Sequence, residues 1–389
     1  MKGIAFSPAN HCFLTKSQNL TNKQSVNSNP IQFINHQTQK TQNPLTRTNQ
    51  FPSVATKSSK NPLGPINTPP LVVVGSANAD IYVEIDRLPK EGETVSAKNG
   101  QTLAGGKGAN QAACGGKLSY PTYFLGQVGE DVNGKLITDA LKNRGVHLDY
   151  VRYVGDVPTG HAVVMLQSDG QNSIIIVGGA NMNSWPEMLS DEDLMIVKNA
   201  GIILLQREIP DDINIQVAKA AKQAGVPVIF DAGGMDAPIP SELLKFVDIF
   251  SPNETELARI TGMPTENVEQ IGQAVKKCHE MGVRQVLVKL GAQGSALFEE
   301  GKKPIIQPII SAERVLDTTG AGDTFTAAFA VALVEGNTKE ECMRFAAAAA
   351  SLCVQVKGAI PSMPDRTSVL DLLQAAAKSI ITLCVRKMP

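Results

Sequence analysis

Short apolar runs and amphipathic stretches take turns along most of this 389-residue chain. Residues 71–75 (LVVVG), 122–126 (TYFLG), 201–206 (GIILLQ), 226–231 (VPVIFD), 247–253 (VDIFSPN) and 285–291 (QVLVKLG) are brief and rich in Val, Ile, Leu and Phe. They predict strands. Residues 107–118, 133–143 and 212–224 lie between such runs and predict helices. Short buried strands separated by helices are the mark of a parallel sheet covered on both faces. The expected fold class is α/β: a doubly wound, mostly parallel sheet with helices on both faces. The rhythm breaks twice, over 81–103 and 162–177, where apolar and polar residues alternate with no helix between and Asp169-Gly170 marks a hairpin turn. A small antiparallel β lid is therefore predicted beside the main sheet, its strands within about 81–104 and 160–178.

The formal net charge of −1 conceals a division. Residues 1–70 contain seven Lys or Arg and no acid, in a background of Ser, Thr, Asn, Gln and Pro; the first acid is Asp80. The remainder, with 29 basic and 37 acidic residues, carries −8. A hydroxyl-rich segment without acids or a continuous apolar core predicts an organelle transit peptide over 1–70. Arg47 is its only arginine, which favours a plastid, in the chloroplast stroma, over a mitochondrion. The plainer alternative is a low-complexity tail with no address. The domain proper is expected to run from 71 to about 364, followed by a helical tail over 365–389 too short and too charged to span a membrane. The near-neutral balance gives no ground for a nucleic-acid or membrane partner. The six cysteines are scattered and form no C-x-x-C pair, which suggests neither a zinc site nor a disulfide framework and fits a reducing compartment.

Candidate chemistry gathers where glycines meet predicted helix starts. From Val315 the chain reads VLDTTGAGDTFTAAFAVAL, with Asp317, Thr319, Gly320, Gly322 and Asp323 just before an apolar, alanine-rich run. The first amides of a helix lack intrahelical partners and attract anions. A carboxylate there either caps the helix or accepts a proton from a hydroxyl that attacks a phosphoryl group. Gly105, Gly106, Lys107 and Gly108 precede a second helix start, with Asn110 just inside it. Lys107 is followed by Gly, so this is not a Walker A loop, and no G-x-G-x-x-G follows the first strand. GSANAD (75–80) places Asn78 and Asp80 on one side of an extended stretch, where they suit either sugar hydroxyls or turn chemistry.

GSANAD, GGKGANQA (105–112), SPNETE (251–256), VKLGAQGS (288–295) and DTTGAGDTF (317–325), in this order, resemble the PfkB-type (ribokinase-like) carbohydrate kinases. The resemblance covers about 71–364. It implies ATP-dependent phosphorylation of D-ribose at O5, with Mg²⁺ and with activation by a monovalent cation such as K⁺. By the same resemblance Asp323 is the catalytic base, and the amides of Gly320, Ala321 and Gly322 form an anion hole. Asn78, Asp80, Gly106, Lys107, Asn110 and Glu208 match sugar-binding positions. Asn253 and Glu256 match an N-x-x-E motif that holds Mg²⁺ and phosphates through water, or by composition simply start a helix. Lys289, Gly291 and Gly294, with Gly322, match the nucleotide site. Asp317, Thr319, Ser362 and backbone groups at Cys353, Val356 and Gly358 match the monovalent-cation site. The resemblance also implies a homodimer formed through the lid sheet. Three other readings stand beside this one: a related kinase acting on fructose, a deoxyribose or a nucleoside; a catalytically silent plastid interaction protein of the same fold; and a nucleotide-binding module without chemistry, in which Asp323 is a mere cap.

Overall fold

Successive side chains of a strand point to opposite faces. In the run Leu71–Val74 all four are fully buried, Leu71 and Val73 in one apolar core and Val72 and Val74 in another. A strand of this kind has helices above and below it, and the computed structural model bears this out. It describes residues 68–168 and 172–386. Most of the expected transit segment, and the Asp169-Gly170 turn, lie outside the described residues.

The described chain opens with β1 (Leu71–Val74), β2 (Asn78–Ile85) and β3 (Asn99–Gly105). Helix α1 (Lys107–Lys117), β4 (Thr122–Gly129), α2 (Val132–Lys142), β5 (Val146–Val154), β6 (Gly160–Gln167) and β7 (Asn172–Val177) follow. Helices and strands then alternate: α3 (Asp191–Lys198), β8 (Ile202–Arg207), α4 (Asp211–Ala224), β9 (Val228–Gly234), α5 (Ser241–Leu244) and β10 (Ile249–Ser251). Next come α6 (Glu254–Thr261), α7 (Val268–Glu280), β11 (Gln285–Lys289), β12 (Ser295–Glu299) and β13 (Ile305–Gln307). The chain closes with α8 (Ala321–Val334), α9 (Lys339–Cys353), the single turn α10 (Ala359–Ser362) and α11 (Arg366–Arg386).

Nine strands form the main sheet in the order β13-β12-β11-β10-β9-β8-β1-β4-β5. It is parallel from β11 to β5, and β12 and β13 add an antiparallel edge. β1 lies between β4 and β8, so the chain winds one way from β1 to β5 and the other way from β8 onward. That reversal opens a crevice at the carboxyl ends of β1 and β8, where ligands bind in sheets of this kind. One core packs the sheet against α1, α8 and α9, and the other packs it against α3, α4 and α7. Helix α8 is apolar all round, with every residue from Ala327 to Val331 fully buried. A helix of that character has no solvent face and is fixed by its neighbours on every side.

The second sheet has four strands, β3-β2-β6-β7. Its β2–β3 and β6–β7 pairs are antiparallel as expected, while the central β2–β6 pair is parallel. β2 and β6 each follow a strand of the parallel main sheet, β1 and β5, with no helix between. On one face of this sheet Tyr82, Ala162 and Val164 form a small apolar cluster with Leu103 and Leu166. Asp80 pairs with Leu103 and Ala162 in register, which puts its side chain on the same face. That face closes over the crevice.

Candidate active site

Helix α8 begins without a side-chain cap. Gly320, at its N-cap, has φ +79°, a left-handed conformation that glycine adopts without a Cβ penalty. The Ala321 amide bonds the Thr318 carbonyl at 3.2 Å, and the Thr324 amide bonds the Gly320 carbonyl at 2.8 Å. Among the described residues the amides of Gly320, Gly322 and Asp323 have no hydrogen-bond partner. Of the three amides expected to form an anion hole, that of Ala321 is engaged in the turn. The helix dipole adds partial positive charge at this end.

Asp323 is buried, and it does not cap α8. Its Oδ2 accepts from Asn110 Nδ2 at 2.9 Å, its Oδ1 accepts from Gln111 Nε2 at 3.3 Å, and Lys107 Nζ lies 3.7 Å from Oδ1. All three partners come from the first turns of α1, so two helix N-termini meet at this carboxylate. Gln111 is in turn fixed by Gln206 Nε2, which donates to its Oε1 at 2.7 Å. Asn110 lines the cleft, and its buried Oδ1 has no hydrogen-bond partner.

The cleft holds about 870 Å³ and is lined by Asn78, Asp80, Gly106, Lys107, Asn110, Glu208, Asp317, Thr319, Gly320, Asp323 and Gly358, among others. The structure thus brings together every sugar-site residue singled out from the sequence. Asn78 Oδ1 accepts from Asn181 Nδ2 at 2.7 Å, and Asn181 also holds the backbone of Ala77 through two bonds. A side chain on Gly105 would collide with the Asp80 carboxylate, so the small residue makes room for that acid. Glu208 is paired within the protein. Its Oε2 accepts from Ser76 Oγ at 2.5 Å and from the Lys107 amide at 3.1 Å, so it satisfies the uncapped start of α1.

The nucleotide-side residues lie outside this cleft. Asn253 and Glu256 form a reciprocal capping box on α6, with both backbone bonds at 2.8 Å. Both readings of that motif remain compatible with the geometry, because the cap uses Glu256 Oε2. The other oxygen, Oε1, borders the space above Gly233 that Lys107 Nζ also borders. Gly291 and Gly294 shape the turn between β11 and β12, both with positive φ. Lys289 points away from that turn, toward the start of α8: a methyl group on Gly322 would lie 3.9 Å from its Nζ.

Behind the cleft, Asp317 ties two loops together. Its oxygens accept from the Thr319 amide at 2.9 Å and the Gly358 amide at 2.8 Å. Burial pushes its carboxyl up, but these N–H groups outweigh that and hold it below the usual range. Cys353 Sγ lies 3.0 Å from Ser362 Oγ and 3.8 Å from the Thr319 carbonyl oxygen. Asp317, Thr319, Cys353, Gly358 and Ser362 are thus linked by direct contacts between the segments that carry them. Val356 exposes its side chain, so only its backbone could serve there.

One central residue escaped notice in the sequence. Asp231, at the end of β9, is fully buried, with Lys289 Nζ 2.6 Å from Oδ2 and Lys107 Nζ 3.6 Å from Oδ1. Burial pushes its carboxyl up, yet the two ammonium groups prevail and hold it well below the ordinary range. Lys107 responds in kind: burial pushes it down, but Asp231, Asp323, Glu208 and Glu256 keep it well above its usual value. Gln111, although within GGKGANQA, was not singled out for a role, and neither were Gln206 and Asn181.

A proton acceptor beside unengaged helix amides, next to a pocket for hydroxyls on a lidded, doubly wound sheet, defines a phosphotransferase acting on an alcohol group. The comparisons agree. The chain belongs to the pfkB family of carbohydrate kinases, whose model matches residues 69–366. It is 70% identical over 367 residues to a ribokinase of Arabidopsis thaliana, covering 90% of this chain and 97% of that protein. A Haemophilus influenzae ribokinase is 34% identical over 306 residues, 79% of this chain and 99% of the relative. The solved structure of Arabidopsis thaliana ribokinase complexed with ribose and ATP superposes with a TM-score of 0.77 at 78% identity, covering 79% of this chain and 99% of that one. A Thermotoga maritima ribokinase gives 0.70 at 34% identity, with the same coverage.

Asp80 makes the site sensitive to pH. Burial, then the nearby Glu208 and Asp323, push its carboxyl up to about 7 from the ordinary 3.8. A carboxyl with a raised folded pKa favours the fold while protonated, and that contribution is lost as pH rises through the folded value. Asp80→Asn should therefore gain stability over the parent as pH rises from about 4 to about 7, levelling off on the order of 2 kcal/mol once exposure is discounted. Thermal unfolding across that range measures it, and a pH-independent difference would count against the assignment.

Proposed function

We propose that this protein transfers the γ-phosphoryl group of ATP to O5 of D-ribose, with Asp323 as the base. The observation that carries this reading is the buried Asp323 carboxylate set against the unengaged amides of Gly320, Gly322 and its own residue. Asn78, Asp80, Asn110 and Glu208 hold the sugar so that O5 lies against Asp323. The carboxylate takes the O5 proton as the oxygen attacks, while the amides of α8 receive the charge on the moving phosphoryl group. Phosphoryl transfer depends chiefly on such positioning and charge stabilisation. The lid face closes the pocket and keeps water from competing for the phosphoryl group. A paired hydroxyl at each polar position also selects the sugar, since a missing one leaves a buried acceptor unsatisfied.

Asn253 and Glu256 would hold Mg²⁺ with its phosphates through water, consistent with Glu256 Oε1 facing the space shared with Lys107. Bound there, the ion supplies positive charge to the phosphate oxygens. Asp317, Thr319, Ser362 and the carbonyls of Cys353, Val356 and Gly358 would hold K⁺, which braces the loop that enters α8. Gly291 and Gly294 would shape the backbone against the nucleotide.

We further propose a homodimer through the lid. Strand β7 is an edge strand, and Ile174, Ile175 and Ile176 on it are each more than half exposed. An apolar edge of this kind is a liability in a lone molecule unless another chain pairs with it. The acid-free segment 1–70 is proposed to direct the chain to the plastid, in keeping with its plant relative.

Purified protein should consume ATP only when ribose is present, and faster with K⁺ than with a bulky organic cation. Asp323→Asn should lower kcat by roughly 10²–10⁴ and leave the ribose Kd within a few-fold. Lost binding at unchanged turnover would be incompatible with a base. Placing a charge on the lid edge, Ile175→Asp, should convert a dimer to a monomer in light scattering; an unchanged mass moves the interface elsewhere. Residues 1–70 fused to a fluorescent protein should enter plastids in plant cells, whereas diffuse cytosolic signal would refute the address.

A further inference from the structure

A fully buried carboxylate is destabilising unless cations compensate it, and Asp231 has two. Its Oδ2 accepts from Lys289 Nζ at 2.6 Å and from Thr326 Oγ1 at 3.1 Å, while its Oδ1 accepts from the Gly233 amide at 3.1 Å and faces Lys107 Nζ at 3.6 Å. The residue thus joins β9 to β11, to α1 and to α8. Thr326 lies one turn beyond Asp323, so the bond to it also fixes the rotation of α8. Both ammonium groups held by Asp231 also lie near the start of α8. Lys107 Nζ reaches 3.7 Å from Asp323 Oδ1, and Lys289 Nζ stands beside Gly322. Two ammonium groups this close would repel and swing apart without an anion between them.

We infer that Asp231 is a positioning residue for phosphoryl transfer: it holds the Lys107 and Lys289 ammonium groups beside the α8 amides, where the γ-phosphate of the nucleotide is received. The inference rests on the proposed role of that helix start. Asp231 itself touches no substrate; it acts through the lysines. Lys289 then serves the terminal phosphate, not the turn between β11 and β12. A diphosphate, which lacks that phosphate, gains little from the arrangement.

The test is calorimetric binding of ADP and of a non-hydrolysable ATP analogue, together with steady-state kinetics. Asp231→Asn keeps the shape and removes the charge. It should weaken the triphosphate analogue about tenfold and lower kcat by 10- to 100-fold, with ADP and ribose affinities changed by less than about twofold. A purely structural role would weaken ADP and the analogue alike, and that result overturns the inference. Lys289→Met should reproduce the pattern. The double variant should be no worse than about the poorer single one, since loss of Asp231 already frees Lys289 from its place. It also restores charge balance should Asp231→Asn fold poorly, and additive losses in it would contradict the inference. If the parent protein consumes no ATP with ribose, the proposed function itself fails; if the parent is active and Asp231→Asn matches it, only this inference does.

Discussion

A carboxylate must remain ionised at the very place where a polyanion has to arrive. That constraint governs the rest of the molecule. Asp323 shares its neighbourhood with Asp80, Glu208, Asp231 and Glu256, and this density of negative charge would repel a nucleotide. The chain answers with Lys107, Lys289 and two helix starts. The lysines neutralise from the side, while the amides of α8 present positive partial charge that carries no proton to lose. Because amides cannot be titrated away, the receiving end of the site keeps its polarity at any working pH, and only the acids respond.

Such an arrangement needs rigid support, and the architecture supplies it. Helix α8 is buried on all sides, so its first turn cannot drift relative to the sheet. Helix α1 sits against β1 because Gly108 has no side chain; a Cβ there would fall 2.7 Å from the backbone of Gly75 and Ser76. That close approach brings Asn110 and Gln111 to Asp323. The reversal of winding at β1 sets both helix starts at the same end of the sheet, and the lid strands leave from that same end. The starts of α1 and α8 and the lid strands therefore share a single fixed frame.

The sugar side and Asp323 were legible in the sequence because glycine-rich turns at helix starts are local signals. The lid was legible because its alternation lacks helices, although the parallel pairing of β2 with β6 was not, being a long-range choice. Asn253 and Glu256 were readable as a helix start, and they are one. Glu208 is bound to Ser76 and to the Lys107 amide, partners more than a hundred residues earlier in the chain, which no local motif shows. Asp231 ends an apolar strand with no motif around it, and its lysines lie 124 residues before it and 58 after it.

What the sequence determined by itself was what is encoded within a few residues: where strands and helices begin, which glycines free the amides of α8, and which acid stands beside them. Periodicity and turn chemistry suffice there, since both act at short range along the backbone. Only the tertiary structure decided which charges face one another. The bond of Ala321 back to Thr318, the grip of Glu208 on α1, and the bridge from Asp231 to two lysines each depend on distances between segments. Those distances are set by packing of whole layers, and no local pattern of residues contains them.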